Sequence, residues 1–410
     1  MRKSREILRK LICAAVSLCL CSGTVLPVSA ETDSGAQQED HMSYYYEPAE
    51  SDSIKGWPDS PGIEAQSAMV IDLANGSILY AKNADLVRYP ASITKIMTCL
   101  IACEHLDPNM HFVMSESAAF GIEAGSSSIY ASPDEEFTVE QAEMALMLES
   151  ANEMGLMLAE LTAGSEKKFI EMMNERAAQL GCTNTHFNNP HGLPDENHYT
   201  TAHDMALIAK AAWNNPSFRK LVMTQYYNIP PTNKQPETRY MQNHHRMMKD
   251  RNRAYDGVVG GKTGYTQAAG NTLVTYCRRG SIGVAVVVLN SIDGGYGDTA
   301  ELLDYVYANF ERIYLKIVPS RIDVLENPLP WIKSLAADPR TSRSFQVLTG
   351  ASATVPIGTK ARELRRFWRV DRTLMGLPTV WNEYYYNGNL VGQARQFMQT
   401  VLPMSDLNLP

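Results

Sequence analysis

Apolar residues at helical and strand spacing divide the chain into readable elements. Behind Pro90, which cannot sit inside a helix and biases Tyr89 toward an extended shape, Ile93, Met97 and Leu100 fall on one face of a helix expected to start at Ser92. Thr138-Val139-Glu140-Gln141 reads as a capping box opening an amphipathic helix through Ala142, Ala145, Leu146 and Leu148. That helix is expected to end on Glu149-Ser150-Ala151-Asn152, with a second running from Met154 toward Leu161. More helix covers 166–215, interrupted by Asn188-Asn189-Pro190-His191-Gly192-Leu193-Pro194 and reopened at Thr200-Thr201-Ala202-His203-Asp204. Residues 68–71 (AMVI) and 78–80 (ILY) flank Asn75-Gly76, a hairpin signal, and 112–114 suggest a short strand. Two β-rich runs, 272–276 and 283–289 (GVAVVVL), follow Gly260-Gly261-Lys262-Thr263-Gly264-Tyr265-Thr266. From Lys316 the composition shifts to short strand-like stretches at 344–347, 353–355 and 383–392, the last carrying a second hairpin signal at Asn387-Gly388.

The N-terminus adds a compartment. Residues 1–30 combine a basic n-region (Arg2, Lys3, Arg5, Arg9, Lys10), an apolar run too short to span a membrane comfortably and a Val28-Ser29-Ala30 cleavage site, the pattern of a secretory signal. The mature protein is therefore expected outside the cytoplasm. Its removal takes the formal net charge from -8 to -12, a poor match for nucleic acid or an anionic membrane surface. Residues 31–61 read as a flexible spacer, with order beginning near Ala65. Cys99, Cys103, Cys182 and Cys277 remain after cleavage, without a C-x-x-C pair. Cys99 and Cys103, four apart on one helix, are read as buried small apolar side chains; a Cys182–Cys277 bridge stays open.

Three short motifs carry candidate chemistry. Ser92-x-x-Lys95 puts a hydroxyl and an amine on one face of a first helical turn, where a desolvated lysine can act as base. Alone, a pattern this common is more often a capping serine followed by a surface lysine. Ser150-x-Asn152 sits between two apolar helices, either as a solvated junction or as hydrogen-bonding groups lining a cleft. Lys262-Thr263-Gly264 offers a cation, a hydroxyl and close backbone approach on a strand, which suits a carboxylate-bearing substrate. It lacks the earlier glycine of a Walker A loop. The histidines at 191, 198, 203, 244 and 245 match no metal spacing and are read as structural or surface; no metal is expected.

In this order the three motifs are the set shared by penicillin-binding proteins and class A β-lactamases. The wider text, Y-P-A-S-I-T-K-I-M-T, S-A-N, F-N-N-P-H-G-L and G-G-K-T-G-Y-T-Q-A-A-G, resembles the serine-type D-alanyl-D-alanine carboxypeptidases, the low-molecular-mass penicillin-binding proteins that trim peptidoglycan stem peptides. The resemblance implies an α/β (α+β) transpeptidase-like catalytic domain over 62–315, an antiparallel sheet flanked by helices with Ser92 at their junction, then a small all-β domain over 316–410. It implies that Ser92 attacks the carbonyl between two terminal D-alanines, that Lys95 takes its proton, and that Ser150 and Asn152 share the proton network. Lys262, Thr263, Gly264, Tyr265 and Thr266 would bind substrate, with the Ser92 and Tyr265 N–H groups as oxyanion hole. The implied partners are a stem peptide ending in D-Ala-D-Ala and, as acylating inhibitors, β-lactams. No cofactor is implied.

Three positions depart from the pattern. Gly295 stands where relatives usually carry an arginine thought to assist the carboxylate clamp, with Arg278 or Arg279 as candidate substitutes. Glu153-Met154 follows the S-A-N motif where a small or acidic residue and alanine are commoner, read as repacking behind the site. His244-His245 replace a more asparagine-rich segment. The tail from Phe397 carries no lysine or arginine and fails the criteria for an amphipathic membrane anchor. Two rivals stand beside the carboxypeptidase reading. A β-lactamase would need a carboxylate to activate the deacylating water, and Glu196 lies in roughly the right part of the chain without its usual context. The other rival is an inert wall-binding module.

Overall fold

The computed structural model describes residues 41–315, 342–347, 351–372 and 378–401. The expected signal segment, residues 31–40 of the expected spacer and the end of the tail lie outside them. Leaving aside the one-turn helices His41–Tyr45 and Glu116–Phe120 and the 3-10 turns, the elements in chain order are β1 (Ser67–Asp72), β2 (Ile78–Lys82), α1 (Lys95–His105), β3 (His111–Val113), β4 (Glu136–Thr138), α2 (Val139–Leu148), α3 (Asn152–Ala163), α4 (Glu166–Gln179), α5 (Ala202–Asn214), α6 (Pro216–Met223), β5 (Tyr226–Ile229) and β6 (Arg239–Gln242). Then follow β7 (Val258–Thr266), β8 (Gly270–Arg279), β9 (Ile282–Ser291), α7 (Tyr296–Asn309), β10 (Phe310–Leu315), β11 (Ser342–Val347), β12 (Ala351–Pro356), β13 (Arg365–Arg372), β14 (Pro378–Tyr386) and β15 (Asn389–Val401).

The central sheet has the order β2-β1-β9-β8-β7, and every pairing in it is antiparallel. Side chains alternate across a strand, so Met69 and Ile71 of β1 enter one core with Val287 of β9 while Ala68 and Val70 enter another with Val286 and Val288. Both faces are covered: α5 packs on β1 and β9, and α7 on β8 and β9. That double burial is why 68–71 and 283–289 read as unbroken apolar runs.

On the α5 side the first core extends into a helical cluster centred on α1, which packs against α2, α3, α4, α5 and α6. Residues 95–102 of α1 are all buried, so the helix is enclosed on every side, beyond the single apolar face expected from its spacing. The helix also starts later than expected. Ala91 has φ 51°, a left-handed conformation no α-helix accommodates, so residues 91–94 form a 3-10 turn and α1 begins at Lys95. The capping box of α2 is present as read: Gln141 N donates to Thr138 Oγ1 and Thr138 N to Gln141 Oε1. Helix α3 starts at Asn152, two residues before Met154.

The expected spacer over 31–61 is corrected from residue 41 onward. Trp57 is buried against Phe310 (ring centroids 5.1 Å apart) and its Nε1 donates to Leu79 O at 3.1 Å. Lys82, itself buried, donates to Ile63 O and Ala65 O. The four cysteines are free thiols, Cys99 and Cys277 buried, which closes the open Cys182–Cys277 pairing. Beyond α7 the described elements are strands, apart from a 3-10 turn at Ala361–Glu363. β10 pairs with β12, and β11-β15-β14-β13 form a second antiparallel sheet with Asn387-Gly388 (φ 46° and 92°) turning β14 into β15.

Candidate active site

Sheet and helical cluster meet at a cleft of about 560 Å³, within the usual range for a small-molecule site, lined among others by Ser92, Ser150, Thr263, Gly264 and Tyr265. Ser92 sits on the 3-10 turn ahead of α1. Lys95 follows one turn on, and its Nζ donates to Ser92 Oγ at 3.0 Å and to His191 O at 2.6 Å. The lysine is fully buried, and desolvation holds its pKa well below the ordinary value, helped by the nearby charge of Lys262 and opposed by Glu153.

Ser150 lies in the break between α2 and α3 with φ 61°, a conformation costly for a non-glycine residue. Its hydroxyl is buried and has no hydrogen-bond partner among the described residues, so it is available to a ligand. Asn152, also buried, opens α3 and donates its backbone N–H to Ser127 O at 2.8 Å. The departure at Glu153 has a structural consequence. Its carboxylate accepts from Ser128 Oγ and Ile129 N, both at 2.7 Å, and so holds the loop that presents Ser127 to the cleft.

The third wall is β7. Lys262 is buried, with its pKa lowered to about 7 by desolvation against the opposing pull of Glu149. Thr263, Gly264 and Tyr265 line the cleft. A Cβ on Gly264 would lie 2.4 Å from Thr272 Oγ1 and 2.9 Å from Ser92 N, so only glycine lets the strand pass this close to the serine turn. Thr266 does not line the cleft. It closes the β7–β8 turn, its hydroxyl accepting from Ala269 N.

Several contributing residues have no site role assigned from sequence. The loop 188–193 supplies backbone oxygens to α1: besides His191 O, Pro190 O accepts from Thr98 Oγ1 at 2.6 Å. Asn188 N donates to His198 Nδ1, so the neutral ring carries its hydrogen on Nε2 and donates it to Thr94 Oγ1 at 2.8 Å. Burial pushes His198 down to about 4 and His191 to about 3, keeping both uncharged beside Lys95. Thr272, Asn271, Tyr296, Asp293, His244 and Arg246 complete the rim. In the sequence Thr272 opens the β-rich run 272–276 and His244 is marked as a departure from the family pattern; the others carry no signal beyond proximity in space.

The suggested substitutes for the missing arginine lie elsewhere. Arg279 stacks over Tyr255, 4.5 Å from its centroid, and Arg278 lines a different cavity. Gly295 has φ 74°, and a Cβ there would meet Val288 Cγ2 at 2.6 Å, so this backbone does not take a side chain. Arg246 is the arginine on the cleft. Glu196 is exposed and outside the cleft, and Asp293, a carboxylate on the rim, is tied to Arg253. Among the described residues no His, Cys, Asp and Glu cluster could hold a metal ion, and no helix is long and apolar enough to cross a membrane.

A model of the family described as D-alanyl-D-alanine carboxypeptidase (Peptidase_S11) matches residues 55–292. The chain is 35% identical over 254 residues to D-alanyl-D-alanine carboxypeptidase DacF of Bacillus subtilis (strain 168), a match covering 60% of this chain and 63% of that protein. It is 30% identical over 308 residues to D-alanyl-D-alanine carboxypeptidase DacB2 of Mycobacterium tuberculosis, covering 73% of this chain and 97% of the relative. Among solved structures, a D-alanyl-D-alanine carboxypeptidase from M. tuberculosis superposes with a TM-score of 0.55 at 30% identity, over 64% of this chain and 96% of the other. Penicillin binding protein 5 from Haemophilus influenzae, at 24% identity, shares the fold over 83% of this chain and 98% of its own length with a TM-score of 0.64. With more than half of its length matched, the chain belongs to the D-alanyl-D-alanine carboxypeptidase family, Peptidase_S11.

Proposed function

We propose that this protein is a serine-type D-Ala-D-Ala carboxypeptidase that removes the terminal D-alanine from peptidoglycan stem pentapeptides through an acyl-enzyme on Ser92. The observation that carries this reading is the 3.0 Å contact from buried Lys95 Nζ to Ser92 Oγ. An amine whose charged form is penalised by desolvation is a base poised beside the hydroxyl it must deprotonate. Ser92 Oγ attacks the carbonyl carbon between the two D-alanines as Lys95 takes its proton. The Ser92 and Tyr265 N–H groups stabilise the oxyanion. Collapse expels the terminal D-alanine, whose amine receives that proton with Ser150 and Asn152 in the relay. Water then attacks the ester, gives its proton to the same network, releases the shortened peptide and restores Ser92.

The substrate carboxylate is met by the Thr263 hydroxyl, the potential of Lys262 and the Arg246 guanidinium at the rim. A β-lactam presents an equivalent carbonyl and carboxylate and acylates Ser92. The β-lactamase alternative is disfavoured because Glu196 is outside the cleft and Asp293 is engaged with Arg253. An inert binding module gives no reason for a buried lysine aimed at a serine. The secretory pattern of residues 1–30 supports action outside the cytoplasm, on the wall.

The test is intact-protein mass after mixing with penicillin, run beside Ser92→Ala. Expected is a gain of one penicillin on the wild type alone, together with D-alanine release from a D-Ala-D-Ala pentapeptide. An adduct on both proteins, or on neither, overturns the assignment of Ser92.

A further inference from the structure

A second cavity, of about 220 Å³, lies away from the cleft. Thr272 lines the cleft and Arg278 this cavity; they stand six residues apart on β8, about 20 Å at the rise of a strand. Arg219 of α6, Arg278 of β8 and Arg312 of β10 converge here, with Trp213 from the end of α5 and the Gly280-Ser281 turn between β8 and β9. Three arginines from three elements share one small space in a chain whose formal net charge is -8.

Among the described residues, only one of the three has an internal carboxylate partner. Asp72, fully buried, pairs with Arg312, but its oxygens also accept from Ala74 N, Asn75 N and Thr354 Oγ1. The Arg312 side chain is only 10% exposed, and its Nε is buried with no partner among the described residues. Arg219 lies over the Trp213 ring, 5.7 Å from its centroid, an arrangement that fixes the guanidinium plane without neutralising it. Neither Arg219 nor Arg278 has a carboxylate partner among the described residues. Three guanidiniums lining one small cavity with a single paired carboxylate leave net positive charge there, which an anion would neutralise.

Guanidinium forks match the oxygens of carboxylate and phosphate, and three approaching from different elements suit a tetrahedral group better than a planar one. The volume falls below the roughly 300–1,000 Å³ of sites that enclose a whole ligand, so the cavity fits a head group. We propose that this cavity is a binding site for a phosphate group, held by Arg219, Arg278 and Arg312. Free phosphate, a phosphodiester polymer of the wall and a phospholipid head group share that chemistry.

The test titrates the full chain with inorganic phosphate and with a glycerol-phosphate oligomer by calorimetry, and measures co-sedimentation with phosphatidylglycerol vesicles. Each is repeated on Arg219→Glu/Arg278→Glu, with Arg278→Ala, an exposed position, as the variant least able to disturb folding. Expected is binding in at least one arm, weakened at least tenfold in the double variant and at least threefold in Arg278→Ala, with D-alanine release unchanged; the arm that binds identifies the source of the phosphate. Absence of binding in all three arms, or equal binding by wild type and both variants, overturns the proposal.

Discussion

At the scale of single residues, the site depends on two lysines taken out of water within reach of each other's charge. Each costs stability to bury, because its unfolded form keeps a proton that its folded form gives up more readily. For Lys262, held at about 7 against an ordinary 10.5, the sign follows directly. Below pH 7 both states are protonated and stability does not vary with this group. Between 7 and 10.5 only the unfolded state holds the proton, so stability climbs with pH by about 1.4 kcal/mol per unit at most. Lys262→Met, which keeps the stem and removes the charge, is expected to be more stable than wild type at pH 7 and to lose its advantage by pH 10. Denaturant unfolding at several pH values measures the difference between the two slopes. An unchanged slope would mean that Lys262 is solvated in the folded protein. The variant is also expected to lose turnover, since the positive potential in the cleft goes with it.

At the scale of elements, the decisive contact is β7 against the serine turn. A methyl group on Gly264 forces β7 away from Ser92 N and Thr272 Oγ1, so Gly264→Ala is expected to slow penicillin acylation about 10²-fold, the usual penalty for misplacing reacting groups by around an ångström. Stopped-flow acylation with circular dichroism as a fold control checks it; an acylation rate within threefold of wild type would show that the strand yields freely. Much of this scaffold was legible from local pattern. The Asn75-Gly76 hairpin, the capping box at Thr138 and the strand carrying Lys262-Thr263-Gly264 all rest on contacts between near neighbours in sequence. The oxygens that receive Lys95 and Thr98 belong to His191 and Pro190, over 90 residues away, and no periodicity announces them. The left-handed Ala91 and Ser150 were invisible for a related reason: neither residue type favours that conformation, and only the surrounding structure imposes it.

At the scale of the whole molecule, the division at residue 315 expected from the change in composition does not coincide with a break in packing. β10, which ends at Leu315, pairs along its length with β12 from Phe310↔Pro356 to Leu315↔Ala351. One continuous core contains Trp57, Val70 and Leu303 together with Ala353, Val355 and Val391. A polar bridge crosses at the β1–β2 turn, where Asn75 Nδ2 donates to Thr354 Oγ1 and Thr354 Oγ1 donates to Asp72 Oδ2. All three groups are buried, and Asp72 Oδ2 keeps Arg312 as a partner, so removing the middle one leaves the Asn75 amide donor unsatisfied. Cutting the chain after Leu315 would do this and also strip the pairing edge from β10, exposing a strand that invites association. The truncated chain is therefore expected to unfold at a markedly lower temperature than the full chain and to aggregate as it does so. Thr354→Val, which keeps the shape and removes the bridge, is expected to cost about 1–3 kcal/mol. The full chain should unfold in a single calorimetric transition over residues 41–401, since two sheets sharing a core are not free to melt apart. Two resolved transitions, the later one surviving truncation at Leu315, would show instead that the catalytic part carries its stability alone and that the β-rich part only rests on it.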